Sequence, residues 1–385
     1  MIYFISAFSN IASANTRASA IMSMVEGEKK ILTTDFNHCN KQYYGRESER
    51  VKQILLHVPA YNNNLGVKRI WSHLVFAWRV WKFLNEGKEM PESVYCAMPT
   101  SSSAYVCARY CKKHGIRFVI DVIDLWPDSL IPLMKRWIVM KVLLSPWAYL
   151  TKYAYRSADI IMAESVKYSQ EAKRYNKKAE VYPIYLGIDM HIIDKVKREI
   201  PVSLQKDEGE IWIAYAGSLG LSYDFETLLE AVKKIHGRYR YKLWFIGGGV
   251  KEESISNYIV TNDLNAEITG FVDYEQLLGY LDYCDIAVNI FREDTKVVYS
   301  YKFNDYVAMS CLVLNSLEGE TAEMVDEYRI GRNFNFSDRP LSVVLEDTLR
   351  YWNEYKMWRQ NCRQLVETKL DKDKIYGVVK DIFNR

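Results

Sequence analysis

Short apolar runs alternate with amphipathic segments along this chain, and the alternation starts afresh halfway. A strand that is apolar on both faces must be covered on both sides, which a parallel sheet flanked by helices achieves. The runs at 2–8, 30–34, 53–58, 93–97, 117–121, 159–163 and 180–182 are expected strands of a first sheet. Those at 211–216, 242–246, 267–269, 285–290 and 312–315 are expected strands of a second. After 211–216, Phe225, Leu228, Leu229, Val232 and Ile235 recur at helical spacing and mark one buried helix face. The 385 residues suit two domains better than one. Two α/β domains are expected over 1–195 and 205–360, with a polar linker within 195–209 and a helical tail, 361–385, returning to the first domain.

Composition narrows the class. Hydrophobic residues are 49% and charged residues 26% of the chain, which excludes a disordered protein. The net charge of +3 hides an asymmetry: residues 1–200 hold 29 Lys/Arg against 18 Asp/Glu, and residues 201–385 hold 22 against 30. The first half is therefore expected to face something anionic. Twice its cations fall among aromatic residues. Residues 67–89 place Trp71, Trp78, Trp81 and Phe83 beside Lys68, Arg69, Arg79 and Lys82. Residues 135–156 place Trp137, Trp147, Tyr149, Tyr153 and Tyr155 beside Lys135, Arg136, Lys141, Lys152 and Arg156. Such segments suit a lipid headgroup boundary, and equally suit core helices with snorkelling cations. The longest apolar run, within 137–150, contains Lys141 and Pro146 and is too short to span a bilayer. The N-terminus lacks a basic leader region and reads as a first strand. The seven cysteines, Cys39 among them, are irregularly spaced and complete no zinc set, so reduced, buried thiols are expected.

Chemistry concentrates in the second half. Ala216-Gly217-Ser218-Leu219-Gly220 ends a strand just before a helix that Ser222 or Asp224 can cap. Glycines at such a turn let backbone amides and the helix dipole approach a phosphate, or serve the turn geometry alone. Gly247-Gly248-Gly249 repeats the arrangement after the next strand, on the edge where open α/β sheets bind ligands. Neither turn is a dinucleotide fingerprint or a P-loop. Lys302 stands at the start of a short helix, where a cation is locally unfavourable unless it reaches an anion. Asp305 follows three residues later, able to take the two hydroxyls of a ribose or simply to pair with Lys302. In the first half, Asp124 and Asp128 fall just past a strand end, placed for a cleft or for capping the next helix. Asp371-Lys372-Asp373 lies in a polar tail and is not expected to hold metal, and His38 shows no ligand spacing.

Together these segments resemble bacterial glycosyltransferase family 4, of the GT-B fold, in the subgroup that builds capsule and O-antigen. Residues 215–224, Ile246 to Gly249, Gly270-Phe271-Val272, Asp285 to Val288, Lys302 to Val313, Gly319-Glu320 and Ile330-Gly331 carry the likeness in the second half. Residues 121–128 resemble its R-D-L-W-P-E signature, Leu186-Gly187-Ile188-Asp189 its N-G-V-D, and 34–38 and 64–70 have counterparts. Only through this resemblance is His38 a weaker site candidate. Asp305 stands for the family's ribose glutamate, Val297 for the first glutamate of Glu-x7-Glu, Ile123 for an arginine and Ser310 for a glycine.

The resemblance implies two Rossmann-like domains facing across a cleft, the first binding acceptor and the second donor. It implies a retaining transfer from a nucleotide-diphosphate sugar, UDP-sugar favoured, without an obligatory metal. Gly217, Ser218, Gly220, Gly247 and Lys302 would hold the diphosphate, Asp305 the ribose and the segment at Val272 the base, with Asp124 and Lys302 in the chemistry. The acceptor would be a glycan or undecaprenyl-linked glycan, and the enzyme cytoplasmic, peripheral on an anionic inner membrane face. No nucleic-acid partner is expected. A nucleotide-sugar 2-epimerase shares this architecture, and the absent glutamate at Val297 also fits a non-catalytic homologue that stabilises a partner transferase.

Overall fold

The computed structural model describes residues 1–8, 17–38, 41–44, 53–62, 66–131 and 137–384. Cys39, Asn64, Leu65, Lys135, Arg136 and the Trp137 side chain lie outside the described residues. The chain forms two compact units: Met1–Tyr185 with Tyr376–Arg385, and Leu186–Ile375.

The first unit contains β1 (Ile2–Ile5), α1 (Arg17–Met24), β2 (Lys29–Thr34), β3 (Phe36–Asn37), β4 (Gln42–Tyr43), β5 (Ile54–Leu56), α2 (Val67–Glu86), β6 (Ser93–Met98), α3 (Ser101–His114), β7 (Arg117–Val122), α4 (Trp137–Leu143), α5 (Ser145–Ser157), β8 (Ile160–Ala163), α6 (Val166–Lys173) and β9 (Glu180–Pro183). Seven strands form one parallel sheet in the order β5-β2-β1-β6-β7-β8-β9, and β3 and β4 pair as a small antiparallel hairpin. β1, β6 and β8 are buried on both faces, which is why their sequences show continuous apolar runs rather than alternation.

One ion pair ties this unit together. Arg17 Nε donates to both Asp121 carboxylate oxygens, at 3.1 and 2.8 Å, while Arg17 Nη2 adds a bond of 2.8 Å. Tyr95 Oη donates to Asp121 at 2.7 Å, and Arg17 Nη1 reaches the carbonyls of Ile184 and Tyr185. Burial works against the Arg17 charge, but Asp121 beside it holds the guanidinium pKa above its ordinary value.

The second unit contains α7 (Met190–Glu199), β10 (Ile211–Ala216), α8 (Phe225–Ile235), β11 (Tyr241–Ile246), α9 (Glu252–Thr261), β12 (Ala266–Ile268), α10 (Tyr274–Tyr283), β13 (Ile286–Asn289), α11 (Tyr301–Ala308), β14 (Leu312–Asn315), α12 (Glu320–Tyr328), β15 (Gly331–Asn333), α13 (Leu341–Arg350), α14 (Trp352–Tyr355), α15 (Asn361–Leu365) and most of the approach to α16 (Lys372–Phe383). Its six parallel strands run β12-β11-β10-β13-β14-β15. Strand order reverses at β10, flanked by β11 and β13, which leaves a crevice at that point on the carboxyl edge. The predicted α8 face is buried at Phe225, Leu228, Leu229, Val232 and Ile235, and Asp224 caps that helix through the Thr227 amide at 3.0 Å. The polar stretch read as a linker from 195 begins inside α7, whose Ile193 and Val196 are buried. Tyr376, Val379 and Ile382 of α16 are buried in the first unit, where Arg117 donates to the Ile382 carbonyl at 2.7 Å. The architecture is therefore α/β with two Rossmann-like units and a C-terminal helix that ends in the first, as the sequence leads one to expect. The six described cysteines are free and buried. Among the described residues no helix is long and apolar enough to cross a membrane.

Candidate functional site

Two glycine turns interlock at the carboxyl edge of the second sheet. Gly217 has φ +112° and Gly247 φ +140°, the region that favours glycine. A Cβ on Gly247 would lie 2.2 Å from the Gly217 carbonyl oxygen, so the turns pack backbone against backbone. The Gly217 amide donates to the Ile246 carbonyl at 2.8 Å and the Leu219 amide to Gly248 at 3.0 Å. The amides of Ser218 and Gly220 have no hydrogen-bond partner among the described residues, so these, rather than Gly217, are the donors available to an anion. Gly247 also bridges to Gly270, two residues before the half-buried Val272.

Lys302 closes over this turn. A Cβ on Gly217 would meet Lys302 Cε at 2.7 Å and Nζ at 3.1 Å: the glycine makes room for the lysine. Ser300 caps α11 and is anchored to Asn289 at the end of β13, at 3.1 Å. Tyr306, one helical turn on from Lys302, accepts from the Ala216 amide at 2.9 Å. These contacts seat α11 against β10 and aim Lys302 at the turn. Its Nζ donates to Tyr223 Oη at 2.7 Å and stands 3.9 Å from the centre of that ring. Lys302 and Asp305 share a helix face, yet no ion pair joins them among the described residues. Asp305 accepts instead from Tyr274 Oη of α10 at 2.8 Å. Neither tyrosine is singled out by the sequence reading, because each comes from a separate element.

Asp305 is half-buried. Burial pushes its carboxyl up to about 7, against the opposing pull of the Tyr274 hydrogen bond and the Lys302 charge. A raised acid favours the protonated fold, so this contribution is full below the ordinary carboxylate range and is lost as pH rises through about 7. Thermal unfolding of wild type and Asp305→Asn between about pH 5 and about pH 8 reads this directly. Wild type should lose stability relative to the variant as pH rises; parallel curves would return the carboxyl to its ordinary range.

In the first unit, Asp124 sits two residues past β7. Its oxygens accept from the Leu125 amide at 2.7 Å and from Trp126 Nε1 at 2.6 Å, and burial raises its pKa. The carboxylate is thus held by its own loop, while Asp128 is exposed. His38 Nδ1 is 2.6 Å from Tyr61 Oη, and burial pushes its pKa down to about 3. Asp371 accepts from the amides of Asp373 and Lys374, a cap for α16 rather than a ligand. No group of three or more His, Cys, Asp or Glu is placed to hold a metal among the described residues.

Comparison with known proteins gives the class. Residues 196–290 match the family model described as Glycosyl transferases group 1, a stretch that includes β10, the glycine turns and β13. Among the solved structures that resemble the chain over its length are GT-B proteins. The HepE protein of Anabaena, in complex with UDP, superposes with a TM-score of 0.70 at 12% identity, covering 100% of this chain and 99% of its own. Sucrose-phosphate synthase of Thermosynechococcus elongatus gives 0.74 at 14% identity, covering 100% and 98%. WaaG, a glycosyltransferase involved in lipopolysaccharide biosynthesis, gives 0.67 at 12%, covering 98% and 99%. No curated protein matches the sequence. The group 1 match over residues 196–290, together with a fold shared with GT-B proteins, indicates a glycosyltransferase.

Proposed function

We propose that this glycosyltransferase moves a sugar, with retention, from a UDP-sugar to a lipid-linked glycan acceptor in surface polysaccharide biosynthesis. The observation that carries the reading is Lys302 Nζ held over the glycine turn. Breaking the glycosidic bond leaves negative charge on the donor diphosphate. Lys302 and the Ser218 and Gly220 amides stabilise that charge from fixed positions, the electrostatic strategy that contributes most in many enzymes. Asp305 takes the ribose hydroxyls and the segment at Val272 lines the base, next to the Gly247 turn. Asp124, oriented by Leu125 and Trp126, hydrogen-bonds the transferred sugar or the acceptor. The HepE neighbour, which holds UDP on the same fold, supports a uridine donor; WaaG, which acts in lipopolysaccharide biosynthesis, supports a surface-glycan role. No metal is required for this charge stabilisation. The first domain receives the acceptor at the inner membrane face, where its Trp-rich basic helices meet anionic lipid.

The test is incubation of the full chain with radiolabelled UDP-sugars and bacterial membrane lipid. Label should enter the organic phase from one donor, and Lys302→Ala should slow this by about 10²-fold or more. Conversion of the sugar nucleotide to its epimer without added acceptor would overturn transfer in favour of an epimerase.

A further inference from the structure

Helices of the first unit leave apolar side chains in water. On α2, Trp71, Leu74, Trp78 and Trp81 are 58%, 44%, 54% and 50% exposed and recur every three or four residues, so they share one face. On α4, Ile138, Val139, Val142 and Leu143 are 63%, 52%, 69% and 64% exposed. Between α2, the start of α3, α4 and α5 runs an open trough with a volume of about 250 Å³. Its walls are apolar: Ile70, Leu74, Leu143, Leu144, Trp147 and Leu150.

The two serine hydroxyls of the trough are already engaged. Ser101 Oγ is 2.7 Å from Thr151 Oγ1 and accepts from Trp147 Nε1 at 2.9 Å; Ser102 Oγ donates to the His73 carbonyl at 3.1 Å. The buried His73 Nε2 has no partner among the described residues. Burial, with the Arg69 charge, pushes the His73 pKa down to about 3, so the ring is neutral. A ligand therefore meets hydrocarbon and no charge inside the trough. The charge lies around it: residues 66–85 and 129–158 contain no Asp or Glu, while Lys68, Lys82, Lys141 and Lys152 stand among them. Apolar walls under a predominantly cationic surround match a hydrocarbon chain beneath an anionic headgroup.

We propose that the trough holds one hydrocarbon chain of an anionic lipid drawn from the bilayer, with the exposed faces of α2 and α4 resting at the headgroup plane. This deepens the lipid-linked acceptor reading and rests on it for the identity of the lipid. The occupied trough places an anionic lipid's head on the first unit, which is what an enzyme acting on such a lipid requires.

The experiment uses the full chain and vesicles of phosphatidylglycerol or of phosphatidylcholine, with acyl-chain-brominated phosphatidylglycerol as fluorescence quencher. The chain should bind phosphatidylglycerol vesicles and be released by high salt. Bromine should quench wild type more than Trp147→Phe, since Trp147 forms a trough wall. Leu74→Glu with Leu143→Glu, both at exposed positions, should weaken vesicle binding by at least about tenfold while UDP binding stays intact. Equal quenching of wild type and Trp147→Phe would overturn the proposal, as would a chain that stays in the supernatant. A dimer that Leu74→Glu dissociates would also overturn it, making the trough a self-association face. UDP binding and sugar transfer, measured on the same samples, separate failure of the trough from failure of the proposed function.

Discussion

Lys302→Ala is expected to lower turnover by about 10²-fold or more, the scale of losing one preorganised electrostatic group, about 2.7 kcal/mol. The size follows from how firmly the lysine is placed. Its helix starts at the Ser300 cap anchored to Asn289, and Tyr306 bonds the last residue of β10. The ammonium reaches the turn through the gap that the missing Cβ of Gly217 leaves. A cation fixed in this way stabilises charge that develops in the transition state without reorganising when it appears. The fold should survive, because the neighbouring Phe303, Asn304, Tyr306, Val307 and Ala308, not Lys302, are the buried residues of α11. Steady-state kinetics with the cognate donor, beside circular dichroism of the variant, make the check. A folded variant with unchanged turnover removes Lys302 from the chemistry.

The second large effect falls on stability. Arg17→Met should cost about 3–5 kcal/mol, because it strands the Asp121 carboxylate in the core of the first sheet. Typical domains have only about 5–15 kcal/mol in total, so the first unit should unfold at a much lower urea concentration. Side-chain exposures of 1% for Arg17 and 0% for Asp121 leave water no means of compensating. The double variant Arg17→Met with Asp121→Leu should recover much of the loss, since an apolar replacement of both partners removes the stranded charge. Urea unfolding of the two variants and wild type measures it. An unchanged midpoint for Arg17→Met would show that the pair does not hold the unit together.

The sequence makes most strands legible because buried parallel strands are apolar throughout; the edge strand β15, Gly331-Arg332-Asn333, has no apolar run and is not among the expected strands. The sequence also points to Lys302, Asp305 and the glycine turns, since each lies in one local segment. Their partners are not legible. Tyr223 meets Lys302 across 79 residues, Tyr274 meets Asp305 across 31, and Arg17 meets Asp121 across 104. Such pairs depend on how the elements stack, which local pattern does not encode. Ser310 is a case where backbone explains a departure: it adopts φ +59°, the left-handed region, where the resembling signature has glycine. The helix α2 shows why its sequence admits two readings. His73, Phe76, Ala77, Val80 and Leu84 are buried while Trp71, Trp78 and Trp81 lie outward, so apolar residues occupy both sides. Composition alone does not say which side meets the core.

Gly217, Lys302 and Asp305 are proposed as a nucleoside-diphosphate seat. The most direct measurement is thermal and calorimetric titration of wild type and Lys302→Ala with UDP and UMP. UDP at about 100 times its Kd should stabilise the wild-type chain by about 2.7 kcal/mol. UMP should bind more weakly, and Lys302→Ala should erase most of the difference between the two nucleotides. No stabilisation by UDP, or identical binding of UDP by wild type and Lys302→Ala, would contradict the assignment of this turn as the diphosphate site.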